Sequence, residues 1–185
     1  MMRNSYVKKM ALVALFSALM VVGAFLKIPN PFFPVFFTFQ GVFCAFAGLL
    51  LGAKLGAAAV GLYIVMGLAG LPVFSAPAGP QYIFNPTFGF LLGFLAAAWI
   101  IGKISEMKTE FTVGKAFIAS FSGLLAIYTA GIGYMFLIRR FYSDNPAGLG
   151  ALISGMTPYF IKDLILFIPV AVISVQIKKR VPRLI

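Results

Sequence analysis

The segment TFQGVFCAFAGLLLGAKLGAAAVGLYIVMGLAGL, residues 38–71, decides how this chain folds. Lys54 is its only charged residue, and its apolar residues show no period-2 alternation of the kind a membrane strand needs. A helix crosses about 30 Å of hydrocarbon with roughly 17–25 residues. The segment therefore reads as two crossings, 38–52 and 55–71, divided only by LGAKLG, where glycine and a lysine supply a tight turn between antiparallel neighbours. Runs of the same grade recur at 8–26, 86–104, 114–138 and 149–177. Hydrophobic residues make up 62% of the 185 and charged ones 10%, so the solvent is a bilayer. Backbone groups in lipid must be satisfied within their own segment, and these lengths satisfy them as helix. The expected fold is an all-α integral membrane protein, a single domain of six transmembrane helices. The first run lacks a small-residue cleavage site and five more follow it, so it is expected to stay rather than be removed as a signal peptide.

Basic residues in short loops are retained on the cytoplasmic side. Placing the N-terminus inside puts Arg3, Lys8, Lys9, Lys54, Lys103, Lys108, Lys115, Lys178, Lys179, Arg180 and Arg183 inside, and only Lys27, Arg139 and Arg140 outside. Both termini are thus expected in the cytoplasm. The formal net charge of +11 could suit nucleic acid, but the cations sit at helix ends and no soluble domain is read that could dock a duplex. They suit lipid headgroups instead.

The chemical inventory excludes more than it offers. With no histidine, a Ser/His protease, a His-ligated metal site and a histidine proton relay are ruled out. One cysteine, Cys44, cannot form an internal disulfide or a thiolate metal cage. Of the four acids, Glu106, Glu110 and Asp144 fall in expected loops, which argues against paired catalytic carboxylates. No G-x-x-x-x-G-K-[ST] phosphate loop occurs, so the chain is not expected to hydrolyse ATP. Binding or transport is the better reading, with no cofactor and no metal.

The remaining acid is Asp163, in GMTPYFIKDLILFIPVAV. A carboxylate at mid-bilayer costs about 2.5–3.5 kcal/mol on insertion scales, so it should face protein or a polar cavity. Lys162 is its neighbour in sequence, yet adjacent helical residues point about 100° apart, which makes a direct salt bridge awkward. Pro158 is expected to loosen a turn nearby and free backbone groups.

Between the third and fourth runs lies GLAGLPVFSAPAGPQYIFNPTFGF, residues 67–90, which carries no charge. Its glycines and prolines break helix, while Leu71, Val73, Phe74, Tyr82, Ile83 and Phe84 are too apolar to face water together. The segment should fold back onto the helices. Asn85 before Pro86 reads as an N-cap followed by proline at the first helical position. A capped helix end beside a cavity also presents polar groups to a ligand.

PVFFTFQGVFCAFAGLLLGAKLG, GLYIVMGLAGLPVFS, NPTFGFLLGF and TPYFIKDL, in this order and spacing, resemble the biotin-specific substrate-binding subunits of energy-coupling factor (ECF) transporters, the BioY family. The resemblance covers nearly the whole chain. It implies a six-helix subunit with both termini in the cytoplasm, which captures biotin near the outer face under a lid formed by the third-to-fourth loop. Asn85 and Asp163 match family residues that contact the ureido ring. Thr38 and Gln40 match a polar pair at the start of the second helix, which would close the cavity or merely cap the helix. Ala14 and Ala18 match an alanine face that meets the transmembrane coupling subunit in this class of protein, though such small-xxx-small spacing also suits an internal packing seam. The resemblance further implies two cytoplasmic ATPase subunits as partners and the cytoplasmic membrane of a prokaryote as location. In one respect the chain departs from the family: a lysine usual three residues after the aspartate is Leu166 here, and Lys162 precedes the acid instead.

The ligand's chemistry agrees with these assignments. A ureido group offers two N–H donors and one carbonyl, which a carboxylate and a carboxamide satisfy together. The ring and aliphatic chain want apolar walls, which Phe74, Tyr82 and Phe84 would supply. For the carboxylate of biotin, the Gly79 amide region, Lys27 and Arg139 are candidates. Three rival readings are a subunit for another vitamin, a proton-coupled carrier titrating Asp163, and a scaffold that binds nothing small.

Overall fold

The computed structural model describes residues 2–28, 36–142 and 148–181. Five helices long and apolar enough to cross a membrane dominate it: α1 (Met2–Phe25), α2 (Gln40–Leu68), α3 (Phe88–Ser105), α4 (Val113–Phe141) and α5 (Leu149–Arg180). A two-residue antiparallel pair, β1 (Lys27–Ile28) and β2 (Phe37–Thr38), ties the end of α1 to the start of α2 with Lys27 opposite Thr38. A 3-10 turn, Pro80–Phe84, precedes α3.

The sequence predicts two helices where α2 runs as one element. The division narrows to a single residue, Gly52, whose φ of 75° and ψ of −176° are not helical. Only glycine adopts such a conformation without strain. Beyond it, the Ala53 amide donates to Glu106 Oε1 at 2.9 Å, so a carboxylate from the end of α3 fills the role of an N-cap. A Cβ on Gly56 would lie 2.9 Å from the carbonyl oxygen of Ala47, so the stretches on either side of Gly52 lie against each other. The chain turns back there, inside LGAKLG as the sequence predicts, but with no separate loop.

Small residues let the remaining helices approach closely, as packing between helices in lipid requires. A Cβ on Gly48 would meet the Ala98 carbonyl at 2.8 Å, and one on Gly93 would meet the Ile127 backbone at 2.8 Å. These contacts seat α3 between α2 and α4. Thr112 caps α4, its Oγ1 accepting from the Lys115 amide at 3.2 Å. Lys115 Nζ holds the α3–α4 connection through the carbonyls of Met107 at 2.7 Å and Thr109 at 3.0 Å. In α5, Pro158 and Pro169 sit inside the helix. Each removes one helical donor.

The bundle thus has two distinct ends. One gathers the β pair, the start of α2, the 3-10 turn and the start of α3. The other gathers Gly52, the end of α3 and the end of α5, which all border one cavity.

Candidate functional site

At the first end, a cavity of about 240 Å³ opens between α2, α3, α4, α5 and the 67–87 segment. One water occupies only about 10–15 Å³ on the same measure, so the space suits a small organic molecule. Of the residues that the sequence points to for ligand binding, Thr38, Gln40, Phe74, Tyr82, Asn85 and Asp163 line it.

Asp163 is 8% exposed. Tyr128 Oη donates to its Oδ2 at 2.8 Å, and Lys162 Nζ stands 2.8 Å from Oδ1. The salt bridge expected to be awkward therefore forms. The 100° between neighbouring residues constrains their Cβ atoms, whereas the long lysine stem bends its ammonium back. The Thr38 carbonyl on β2 accepts from Lys162 Nζ at 2.6 Å, and the rings of Phe37 and Phe39 lie 5.8 and 6.0 Å away, so the ammonium is held in this pose. Oδ1 is buried, with this charge contact as its polar partner among the described residues. Gly41 makes room for it: a Cβ there would stand 3.4 Å from Oδ1.

Gln40, 5% exposed, donates from Nε2 to Tyr63 Oη at 2.9 Å. Tyr63, itself fully buried, also lines the cavity.

Asn85 closes a turn ahead of α3 rather than capping the helix. Its Oδ1 accepts from the Thr87 amide at 3.0 Å and from Thr87 Oγ1 at 2.7 Å, the pattern of an Asx turn. Thr87 holds the N-cap position with no side-chain cap bond, and Pro86 lies before the helix rather than at its first residue. The 3-10 turn takes up chain that the prediction assigned to linker, so the helix starts later. Because the Thr87 amide can only donate, the carbonyl end of Asn85 must face it and the NH2 end is left for other acceptors. Thr87 has one hydroxyl proton, committed to Asn85, so Tyr82 donates across the 2.8 Å contact to Thr87 Oγ1. Burial pushes the Tyr82 phenol above its ordinary pKa, which preserves that donor.

The apolar wall is only partly the expected one. Phe74 and Tyr82 are buried with ring centroids 4.7 Å apart, and Phe74 meets Tyr63 edge-on at 5.4 Å. Phe74 lies flat over Gly67, where any Cβ would overlap the ring. Phe84, by contrast, is 53% exposed and stacks on Tyr142 at 4.9 Å, outside the cavity. Leu71 and Ile83 are exposed as well, so the segment folds back through buried Phe74 and Tyr82, with Val73, Ala76 and Ala78 partly buried against the core. Phe90, Tyr128 and Tyr159, from the helices, line the cavity where Phe84 was expected.

None of the three candidate groups for a ligand carboxylate lines the cavity. The Gly79 amide is committed to the Gly67 carbonyl at 2.8 Å, and Lys27 lies over the Phe36 ring at 4.7 Å. The cation that does line it is Lys162. Ala14 and Ala18 are exposed on α1 beside Leu15, not in an internal seam.

Long apolar helices enclosing an aromatic cavity, with one buried carboxylate and a turned carboxamide in its wall, define a membrane protein that takes a small molecule between its own helices. The chain belongs to the BioY family, whose model matches residues 1–183. It is 33% identical over 180 residues to the probable biotin transporter BioY of Lysinibacillus sphaericus, covering 97% of this chain and 91% of the relative. It is 36% identical over 166 residues to the biotin transporter BioY of Thermotoga maritima, covering 89% and 92%. Its fold matches the crystal structure of the S-component for biotin from an ECF-type ABC transporter with a TM-score of 0.83 and 26% identity, covering 97% and 95% of the two chains.

Proposed function

We propose that this chain captures biotin and brings it across the cytoplasmic membrane of a prokaryote as the substrate-binding subunit of an ECF-type ABC transporter. The observation that carries the reading is that one cavity is lined by both a buried carboxylate, Asp163, and a carboxamide, Asn85, whose NH2 end is left to donate. The carboxylate accepts a ureido N–H, and the carboxamide donates to the ureido carbonyl. Phe74 and Tyr82 close over the ring system, while Thr38 and Gln40 border the cavity at the start of α2. Binding, not catalysis, is the chain's work.

Counting the two halves of α2 separately gives six crossings in one domain, with both termini at the end opposite the cavity. Lys8, Lys9, Lys54, Lys103, Lys108, Lys115, Lys178, Lys179 and Arg180 lie at that end, against Lys27, Arg139, Arg140 and the cavity's own Lys162 at the other. The bias supports a cytoplasmic location for the termini and an outer one for the cavity. Energy comes from two ATPase subunits through a transmembrane coupling subunit, for which the exposed Ala14 and Ala18 allow close helix approach.

Calorimetry of the purified chain tests the reading. Titration with biotin is expected to give tight, stoichiometric binding, and riboflavin and thiamine none. No heat with biotin, or equal heat with another vitamin, overturns it. Uptake into liposomes that carry a proton gradient but no ATPase module would favour the proton-coupled carrier.

A further inference from the structure

A second cavity, of about 580 Å³, opens at the other end of the bundle among Gly52–Leu55, Lys103, Ser105, Glu106, Lys178 and Val181. Its three cations come from three different helices. Among the described residues, no carboxylate lies within ion-pair distance of Lys54, Lys103 or Lys178. The one acid in the wall, Glu106, spends Oε1 on the Ala53 amide at 2.9 Å and forms no ion pair with the three lysines, so one carboxylate stands against three cations.

Lys178 is the telling group. It is only partly exposed, reaches Ser105 Oγ at a long 3.4 Å, and lies 3.8 Å from the centre of the Phe111 ring. The ring and the hydroxyl hold this half-buried ammonium in place without neutralising its charge, so it still calls for an anion. The cavity lies at the level of the membrane interface: Trp99, one turn further into the bundle, is 50% exposed, and Lys103 Nζ lies 5.5 Å from its ring. Leu50, Leu51 and Leu55 complete the wall, so apolar surface runs beside the charges.

We infer that this cavity binds the phosphate of an anionic phospholipid, with Lys54 and Lys178 as the principal contacts and an acyl chain lying along Leu55. Cationic pockets between helices at a membrane face suit such headgroups. The site is separate from the biotin cavity and does not rest on the biotin reading.

The test is lipid retention by the full chain in detergent, read by native mass spectrometry after addition of phosphatidylglycerol, phosphatidylcholine or inorganic phosphate. Phosphatidylglycerol is expected to be retained at least fivefold over phosphatidylcholine, and the Lys54→Gln/Lys178→Gln double variant is expected to lose that preference. Lys108→Gln, outside the cavity, should keep it. Should the double variant fail to elute as a monodisperse species, wild-type retention at rising NaCl replaces it, and the preference should fall with salt. Equal retention of the two lipids, or retention unchanged in the double variant or by salt, overturns the inference. So does competition by millimolar inorganic phosphate, which would make the site one for the free anion. Displacement of the lipid by a purified coupling subunit, with stable binding of that subunit to lipid-free chain through the same lysines, would assign the lysines to a protein interface and overturn it too.

Discussion

Asp163 carries three relationships at once: a hydrogen bond from Tyr128, an ion pair with Lys162, and a place in the cavity wall. Asp163→Asn keeps the volume but removes the charge, so biotin affinity should fall at least tenfold, about 1.4 kcal/mol, in calorimetry. The variant should still purify as a folded protein. Unchanged affinity would remove Asp163 from the site. Asn85→Ser asks a different question, because serine can still accept from the Thr87 amide but cannot present an NH2 group. Biotin affinity should fall severalfold; normal affinity would mean that Asn85 only turns the chain. These two residues stand out in the sequence because a polar side chain amid apolar neighbours needs a reason. Tyr63 and Tyr128 do not stand out, since an aromatic counts as apolar in any hydropathy reading and only its neighbours reveal that its hydroxyl is used. The sequence also misplaces Lys162, because helical angles describe where a side chain starts and not where four methylenes end.

At the scale of elements, the 67–87 segment and the Gly52 turn each rest on a glycine against a side chain. Phe74 lies over Gly67, so Gly67→Ala must displace the ring that closes the cavity toward Tyr63 and Tyr82. The expected result is faster biotin release, measured by displacement of bound tritiated biotin, with α2 itself intact because alanine favours helix. An unchanged release rate would mean that Phe74 does not gate the ligand. Glu106→Ala leaves the Ala53 amide without its acceptor, and loss of a cap of this kind costs about 0.5–2 kcal/mol, visible as a lower Tm. Gly52→Ala should cost more, since alanine is strained at a φ of 75° and its methyl meets the Glu106 carboxylate. The position of the turn is legible in LGAKLG because glycine marks it. That a residue distant in sequence seats it is not, since Glu106 reads only as a loop acid. In the same way, SAPAGP shows that helix ends there, but not that Pro80–Phe84 winds as a 3-10 turn and delays α3 to Phe88.

For the whole molecule, the orientation we propose rests on the asymmetry of charge between the two ends. Inverting it would put Lys54, Lys103, Lys108, Lys115 and Lys178–Arg180 outside together, against the rule that holds short basic loops in the cytoplasm. The chain supplies its own low-background reporter. Cys44, its only cysteine, is fully buried and donates from Sγ to the Phe94 carbonyl at 3.2 Å, so a polar maleimide should not reach it in the folded protein. Single cysteines can then be added at exposed positions of opposite ends, Tyr142→Cys at the cavity end and Met107→Cys at the other, which are 66% and 59% exposed in the native chain. On intact cells a membrane-impermeant maleimide should label Tyr142→Cys and spare Met107→Cys, and lysis should make both reactive. Labelling of Met107→Cys in intact cells with protection of Tyr142→Cys would invert the topology, place the biotin cavity inside, and so rule out capture from the medium by this chain.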